Sequence, residues 1–97
     1  MNLLDNIVRA SPKVAARIVD GQAVIVEPRS GMVNVLNEVG ARMWELADGS
    51  RTAAAIIDRL IEEFDAEPAL VRGDTLAFMA DLLDKGLLES DPPAERS

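Results

Sequence analysis

Met32-Val33-Asn34-Val35-Leu36-Asn37-Glu38-Val39-Gly40-Ala41-Arg42-Met43-Trp44-Glu45-Leu46-Ala47-Asp48-Gly49 is the stretch on which the fold turns. Its first five residues carry no charge and are rich in β-branched and apolar side chains, as a strand requires. Asn37 then offers a side-chain oxygen to the free N–H groups at a helix start, and Val39, Met43, Leu46 and Ala47 recur behind it at helical spacing. Gly49 supplies the left-handed residue expected at a helix stop. The spacing predicts a strand over Met32–Leu36 and a helix over Glu38–Asp48, with Trp44 on the helix face that packs against the sheet.

Working towards the N-terminus, Ala15 to Glu27 is rich in β-branched residues and is interrupted by Asp20-Gly21, a dipeptide suited to the positive φ angles of a tight hairpin turn. Two antiparallel strands are predicted, about Ala15–Asp20 and Gln22–Glu27, joined to the third strand by the turn Pro28-Arg29-Ser30-Gly31. The segment 1–13 shows no countable period, although Leu3, Leu4, Ile7 and Val8 suit a short amphipathic turn, and it is left unassigned. Towards the C-terminus, Thr52 caps a helix whose Ala53, Ile56, Ile57, Leu60, Ile61 and Phe64 form the clearest helical stripe in the chain. Pro68 suits the first turn of a third helix, expected to run to Lys85 and stop at Gly86. The tail, residues 90–97, holds two prolines and three charges with no apolar side chain larger than alanine, and is expected to be disordered. The outcome is an α+β domain over residues 14–89, a three-stranded antiparallel sheet followed by three helices.

Composition narrows the function. With 97 residues and 48% hydrophobic content there is material for one core. No secretory signal pattern and no apolar run of roughly 18 residues is present, so a soluble cytoplasmic protein with no membrane partner is expected. The absence of Cys and His removes thiolate and imidazole chemistry, and neither metal nor cofactor is expected. A net charge of −7 repels phosphates, and Trp44, Phe64 and Phe78 are too few to stack single-stranded bases, so nucleic acid is not an expected ligand.

The third helix carries two apolar stripes. At about 100° per residue, Val71, Thr75, Phe78 and Leu82 share one face, while Leu76, Met79 and Leu83 form a second one, rotated by a quarter to a third of a turn. Either the buried face is wide, or the second stripe lines a groove. The third strand bears on the choice, because a meander leaves Met32–Leu36 at an edge, and this edge lacks the charge or proline that usually protects one. An uncharged edge beside an apolar helix stripe is what addition of a peptide strand needs. Arg72 falls one turn before Leu76, either pairing with an acidic peptide residue or standing solvated at the surface.

Val24-Ile25-Val26, then Val33-Asn34-Val35-Leu36-Asn37, then Ala41–Gly49 with Trp44, Leu46, Asp48 and Gly49 in order, resemble the PqqD family. The similarity continues through Ala55–Leu60 and Phe64-Asp65 into Val71, Asp74, Leu82 and Lys85-Gly86-Leu87-Leu88, spanning roughly Val14–Glu89. The resemblance implies a winged-helix-like fold that recognises the leader of a ribosomally made precursor peptide and presents it to a modifying enzyme, often a radical SAM enzyme. It implies no catalysis by the domain itself. The leader would lie between the third strand and third helix, on Met32, Val33, Asn34, Val35 and Leu36 as the backbone platform, with Arg72, Leu76, Met79 and Leu83 as the groove. The turn Pro28–Gly31 departs from the members that serve pyrroloquinoline quinone synthesis, so the resemblance names no pathway.

Three other readings remain open on the residues. A regulatory or adaptor domain could self-associate into a homodimer through the same open edge. A winged-helix DNA binder would use the third helix, but there Arg72 and Lys85 are outnumbered by Asp74, Asp81 and Asp84. Carboxylate pairs such as Glu62-Glu63 or Asp81 with Asp84 could do acid–base work, but without a recognisable motif they read as solvated helix faces.

Overall fold

The computed structural model describes residues 3–92. After a single 3-10 turn at Leu3–Asp5 come strands β1 (Ile7–Ala10), β2 (Ala15–Val19), β3 (Gln22–Val26) and β4 (Val33–Leu36), then helix α1 (Glu38–Leu46), strand β5 (Asp48–Thr52), helices α2 (Ala53–Phe64) and α3 (Pro68–Asp84), and strand β6 (Leu88–Asp91). The described strands form two antiparallel sheets, in the orders β2-β3-β4 and β5-β1-β6. No helix is long and apolar enough to cross a membrane among the described residues.

The first sheet is the predicted meander. Asp20 and Gly21 take φ of 53° and 78°, the mirror-image turn that matches strand twist, and Val19 faces Gln22 across it. Along β3, Ala23 and Ile25 are fully buried, while Val24 and Val26 point outward. On β4, Leu36 is buried and Asn34 half-buried on the same inner side, leaving Val33 and Val35 exposed.

The second sheet is the main departure from the sequence-based expectation, which had one sheet. The unassigned N-terminal segment supplies its central strand, β1, and the expected disordered tail starts too early, because Ser90 and Asp91 pair with Val8 and Ile7. Residues 93–97 of that tail lie outside the described residues. Arg9 binds both Glu89 and Asp91, adding cross-strand ion pairs to the ladder. The first helix is also shorter than expected, ending at Leu46. Gly49, at φ +87°, lies within β5, at the irregularity where Ile7 pairs with Thr52 but Arg9 with Asp48.

The helices bury the stripes that their caps align. Asn37 Oδ1 accepts the Gly40 N–H at 2.9 Å and Thr52 Oγ1 accepts the Ala55 N–H at 3.1 Å, as predicted for two N-caps. Gly86, at φ +76°, closes α3, its N–H donating to the Leu83 carbonyl. Met43, Trp44, Ile56, Leu60, Met79, Leu82 and Leu87 meet Val8 of β1 and Ile25 of β3 in one core, so both sheets share the same helical layer. Exposed ion pairs tie α1 to α2. Arg42 donates to Glu63 at 2.8 and 3.0 Å, and Arg59 to the same carboxylate at 3.2 Å.

These hydrogen bonds, first from Arg42 and then from Arg59, hold Glu63 down from 4.5 to about 2. A depressed carboxylate stabilises the fold above its unfolded pKa and loses that contribution as the pH falls through the folded value. Glu63→Gln is therefore expected to be less stable than the parent above pH 4.5, the gap closing as pH falls towards about 2. Urea unfolding across that range reads it, and a gap that does not change with pH contradicts the assignment.

Candidate functional site

β4 pairs with β3 on one side only, so its other edge carries backbone groups without a strand partner among the described residues. Both flanking segments are fixed. Upstream, the Glu27 N–H donates to the Met32 carbonyl at 2.8 Å and the Met32 N–H donates to Ser30 Oγ at 3.1 Å, closing the β3–β4 turn. Met32 is thereby part of the turn, and the free platform shortens from the expected Met32–Leu36 to Val33–Leu36. Downstream, Asn37 starts α1 immediately, which prevents the chain from doubling back over the strand it has just left.

Beside this edge lies a groove of about 530 Å3 between β4, α1 and the first half of α3. Val35 and Leu36 form its strand side, Val39 and Met43 its α1 side, and Leu70, Val71 and Phe78 its α3 side, with Asp74 and Thr75 adding polar atoms. Gly40 stands where the walls converge. A Cβ there would lie 3.1 Å from Leu36 Cβ and 3.2 Å from the Phe78 ring, so only glycine lets the three elements approach this closely without displacement. Leu70 is 61% exposed and Val35 60%, an unusual openness for large apolar side chains flanking one cleft.

The α3 residues expected to line this groove do not. Met79 is fully buried and belongs to the core, where it shares a line with Thr75 and Leu82. Burying that line sends the helix's two flanks to opposite sides. Val71, Phe78, Asp74 and Leu70 turn towards β4, whereas Arg72, Leu76 and Leu83 turn away; at about 100° per residue Leu76 and Phe78 are separated by roughly 160° around the axis. Arg72 is exposed, Leu76 and Leu83 are half-buried, and none of the three lines the groove. Both flanks are apolar, so periodicity alone did not tell which one faces the strand. The contribution of Val39, Gly40 and Met43 was also missed, although placing α1 directly after β4 was a usable signal.

The two stripes predict opposite mutational behaviour. Met79→Ala is expected to cost about 2–5 kcal/mol through the cavity it leaves, and Leu70→Asp only about 0.5 kcal/mol or less because its site is solvated. Urea midpoints compare them; equal losses would mean that the groove wall is part of the core.

Known proteins share this architecture. Residues 22–88 match the family model described as coenzyme PQQ synthesis protein D (PqqD), a span holding β3, β4 and all three helices. The PqqA binding proteins of Rhodopseudomonas palustris strains HaA2 and TIE-1 are 38% and 40% identical over 52 residues, 54% of this chain and 51% of theirs. The chain thus spans about half the length of the curated relatives it matches. Among solved structures, TbiB1 in complex with the TbiA(beta) leader peptide superposes with a TM-score of 0.74 at 27% identity, covering 84% of this chain and 94% of that one. The solution structure of the PqqD truncation of Methylobacterium extorquens PqqCD, a functional and stand-alone recognition element for ribosomally synthesised and post-translationally modified peptides, gives 0.71 at 26% identity over 92% and 94% of the two chains. With its family model matched over most of its length and its α+β fold shared along nearly the whole of two solved relatives, the chain belongs to the PqqD family.

Proposed function

We propose that this chain binds the leader segment of a ribosomally synthesised precursor peptide by strand addition to β4, seats the leader's apolar side chains in the α1–β4–α3 groove, and presents the peptide to a modifying enzyme. The observation that carries this reading is the vacant β4 edge lying against an apolar groove of about 530 Å3. Backbone hydrogen bonds along the edge supply affinity with little sequence preference, and the groove selects alternate side chains. The leader-bound relative and the relatives that bind PqqA support the same ligand class. The domain acts without catalysis, as a carrier for chemistry done elsewhere, with a radical SAM enzyme as the expected partner. A cytoplasmic location agrees with a peptide taken up soon after synthesis, and the winged-helix description fits the meander beside α1–α3.

Titration of the 15N-labelled chain with synthetic leader peptides from reading frames neighbouring its gene tests this. Amide shifts are expected in Val33–Leu36 and Leu70–Phe78, and Phe78→Ala is expected to weaken binding about tenfold by removing an aromatic groove wall. Shifts confined to other surfaces would refute the site. A concentration-dependent rise in mass by light scattering, with no response to any leader, would favour self-association through the edge instead.

A further inference from the structure

The chain is acidic, with a net charge of −7, yet one depression on its surface gathers cations. A cavity of about 330 Å3 opens where the β1–β2 link, the β3–β4 turn and the end of α3 meet, and Lys13, Arg29 and Lys85 each contribute to its lining. Lys13 and Arg29 have no ion pair among the described residues, and Lys85 contacts Asp81 on its own helix at 3.2 Å with both side chains well exposed. Glu27 shares the cavity, but neutral donors occupy its carboxylate: Ser30 Oγ at 3.2 Å and Asn34 Nδ2 at 2.8 Å. Three cations against Glu27 in the lining leave an excess of positive charge.

The loops that carry these cations are already ordered. Ser11 donates its N–H to the Leu87 carbonyl at 3.0 Å and accepts the Lys13 N–H on Oγ at 3.3 Å, tying the β1–β2 link to the end of α3. The turn under Arg29 is closed by the Gly31 N–H to the Glu27 carbonyl at 2.9 Å. Less backbone entropy is therefore lost when a ligand arrives.

Position gives the cavity its meaning. It is lined by the β3–β4 turn that precedes β4 and by the residues that follow α3, whereas the apolar groove is lined by the C-terminal end of β4 and by α3 residues from Leu70 to Phe78. A peptide paired along β4 and continuing past the β3–β4 turn would approach the cavity, after a strand of four residues that spans about 13 Å at roughly 3.3 Å per residue. We infer that the peptide bound on β4 carries an aspartate or glutamate about one strand length from its apolar anchor, and that Lys13, Arg29 and Lys85 bind that carboxylate. This rests on the strand-addition reading. Backbone pairing alone tolerates slippage along the edge, and a charge contact at one end combined with an apolar contact at the other selects a single register.

The test uses synthetic ten-residue peptides of alternating Leu and Thr, ending in Glu-Glu, Gln-Gln or Lys-Lys at either terminus, titrated into the 15N-labelled full chain at low salt. A Glu-ended peptide is expected to shift the amides of Val33–Leu36 together with those of Lys13, Arg29 and Lys85. It is also expected to bind about fivefold more tightly than its Gln counterpart, the scale of one partly solvated charge contact. Lys13→Glu with Arg29→Glu, at exposed sites, is expected to abolish that preference while Val33–Leu36 still respond. If Glu- and Gln-ended peptides bind β4 equally, the carboxylate site is overturned and strand addition stands. If no peptide moves β4, strand addition itself fails; if the Glu-ended peptides then still shift Lys13 and Arg29, the cavity binds carboxylates by itself and the linked two-point contact is overturned.

Discussion

Thr75, Met79 and Leu82 occupy one line of α3, and burying that line fixes the rotation of the helix about its axis. The groove follows from that constraint. With Met79 fully sealed in the core, Val71 and Phe78 must face β4 and Leu76 must face away. Gly40 adds the second condition, since its missing side chain lets Leu36 and Phe78 close the floor of the cleft. What is left between strand and helix is a groove of about 530 Å3 lined mainly by apolar side chains. An open strand edge is ordinarily a hazard for aggregation; under the proposed strand addition the same unpaired groups would bind the peptide.

The elements with strong local signals were legible in the sequence. Asp20-Gly21 specified the hairpin turn, Asn37 and Thr52 the starts of two helices, and Met32–Leu36 an uncharged strand, one residue longer than the observed β4, because in each case the chemistry is set within a few residues. The second sheet was not legible. Its strands, Ile7–Ala10, Asp48–Thr52 and Leu88–Asp91, are short, come from three distant parts of the chain and alternate weakly, with Asp48-Gly49-Ser50-Arg51-Thr52 holding no apolar residue. Such strands form through long-range pairing, which cannot be read from a local window. The rotation of α3 was not legible for a related reason, as a helix apolar on both flanks takes its orientation from its neighbours.

The charge distribution separates the work of the two ends of β4. At one end the groove walls are mainly apolar, and at the other Lys13, Arg29 and Lys85 line a cavity of an otherwise acidic chain. If both features contact the peptide, leaders that share a hydrophobic residue but differ in charge would bind with different strength.

Strand addition would make the ligand the fourth strand of the β2-β3-β4 sheet. Isotope-filtered nuclear Overhauser spectra of the labelled chain, saturated with an unlabelled leader peptide, examine this at the level of individual protons. Strand addition predicts a regular ladder of contacts between peptide backbone protons and the backbone protons of Val33, Asn34, Val35 and Leu36, along with side-chain contacts to Phe78. Contacts running instead to Leu76 and Leu83, with the backbone protons of β4 silent, would rule out strand addition.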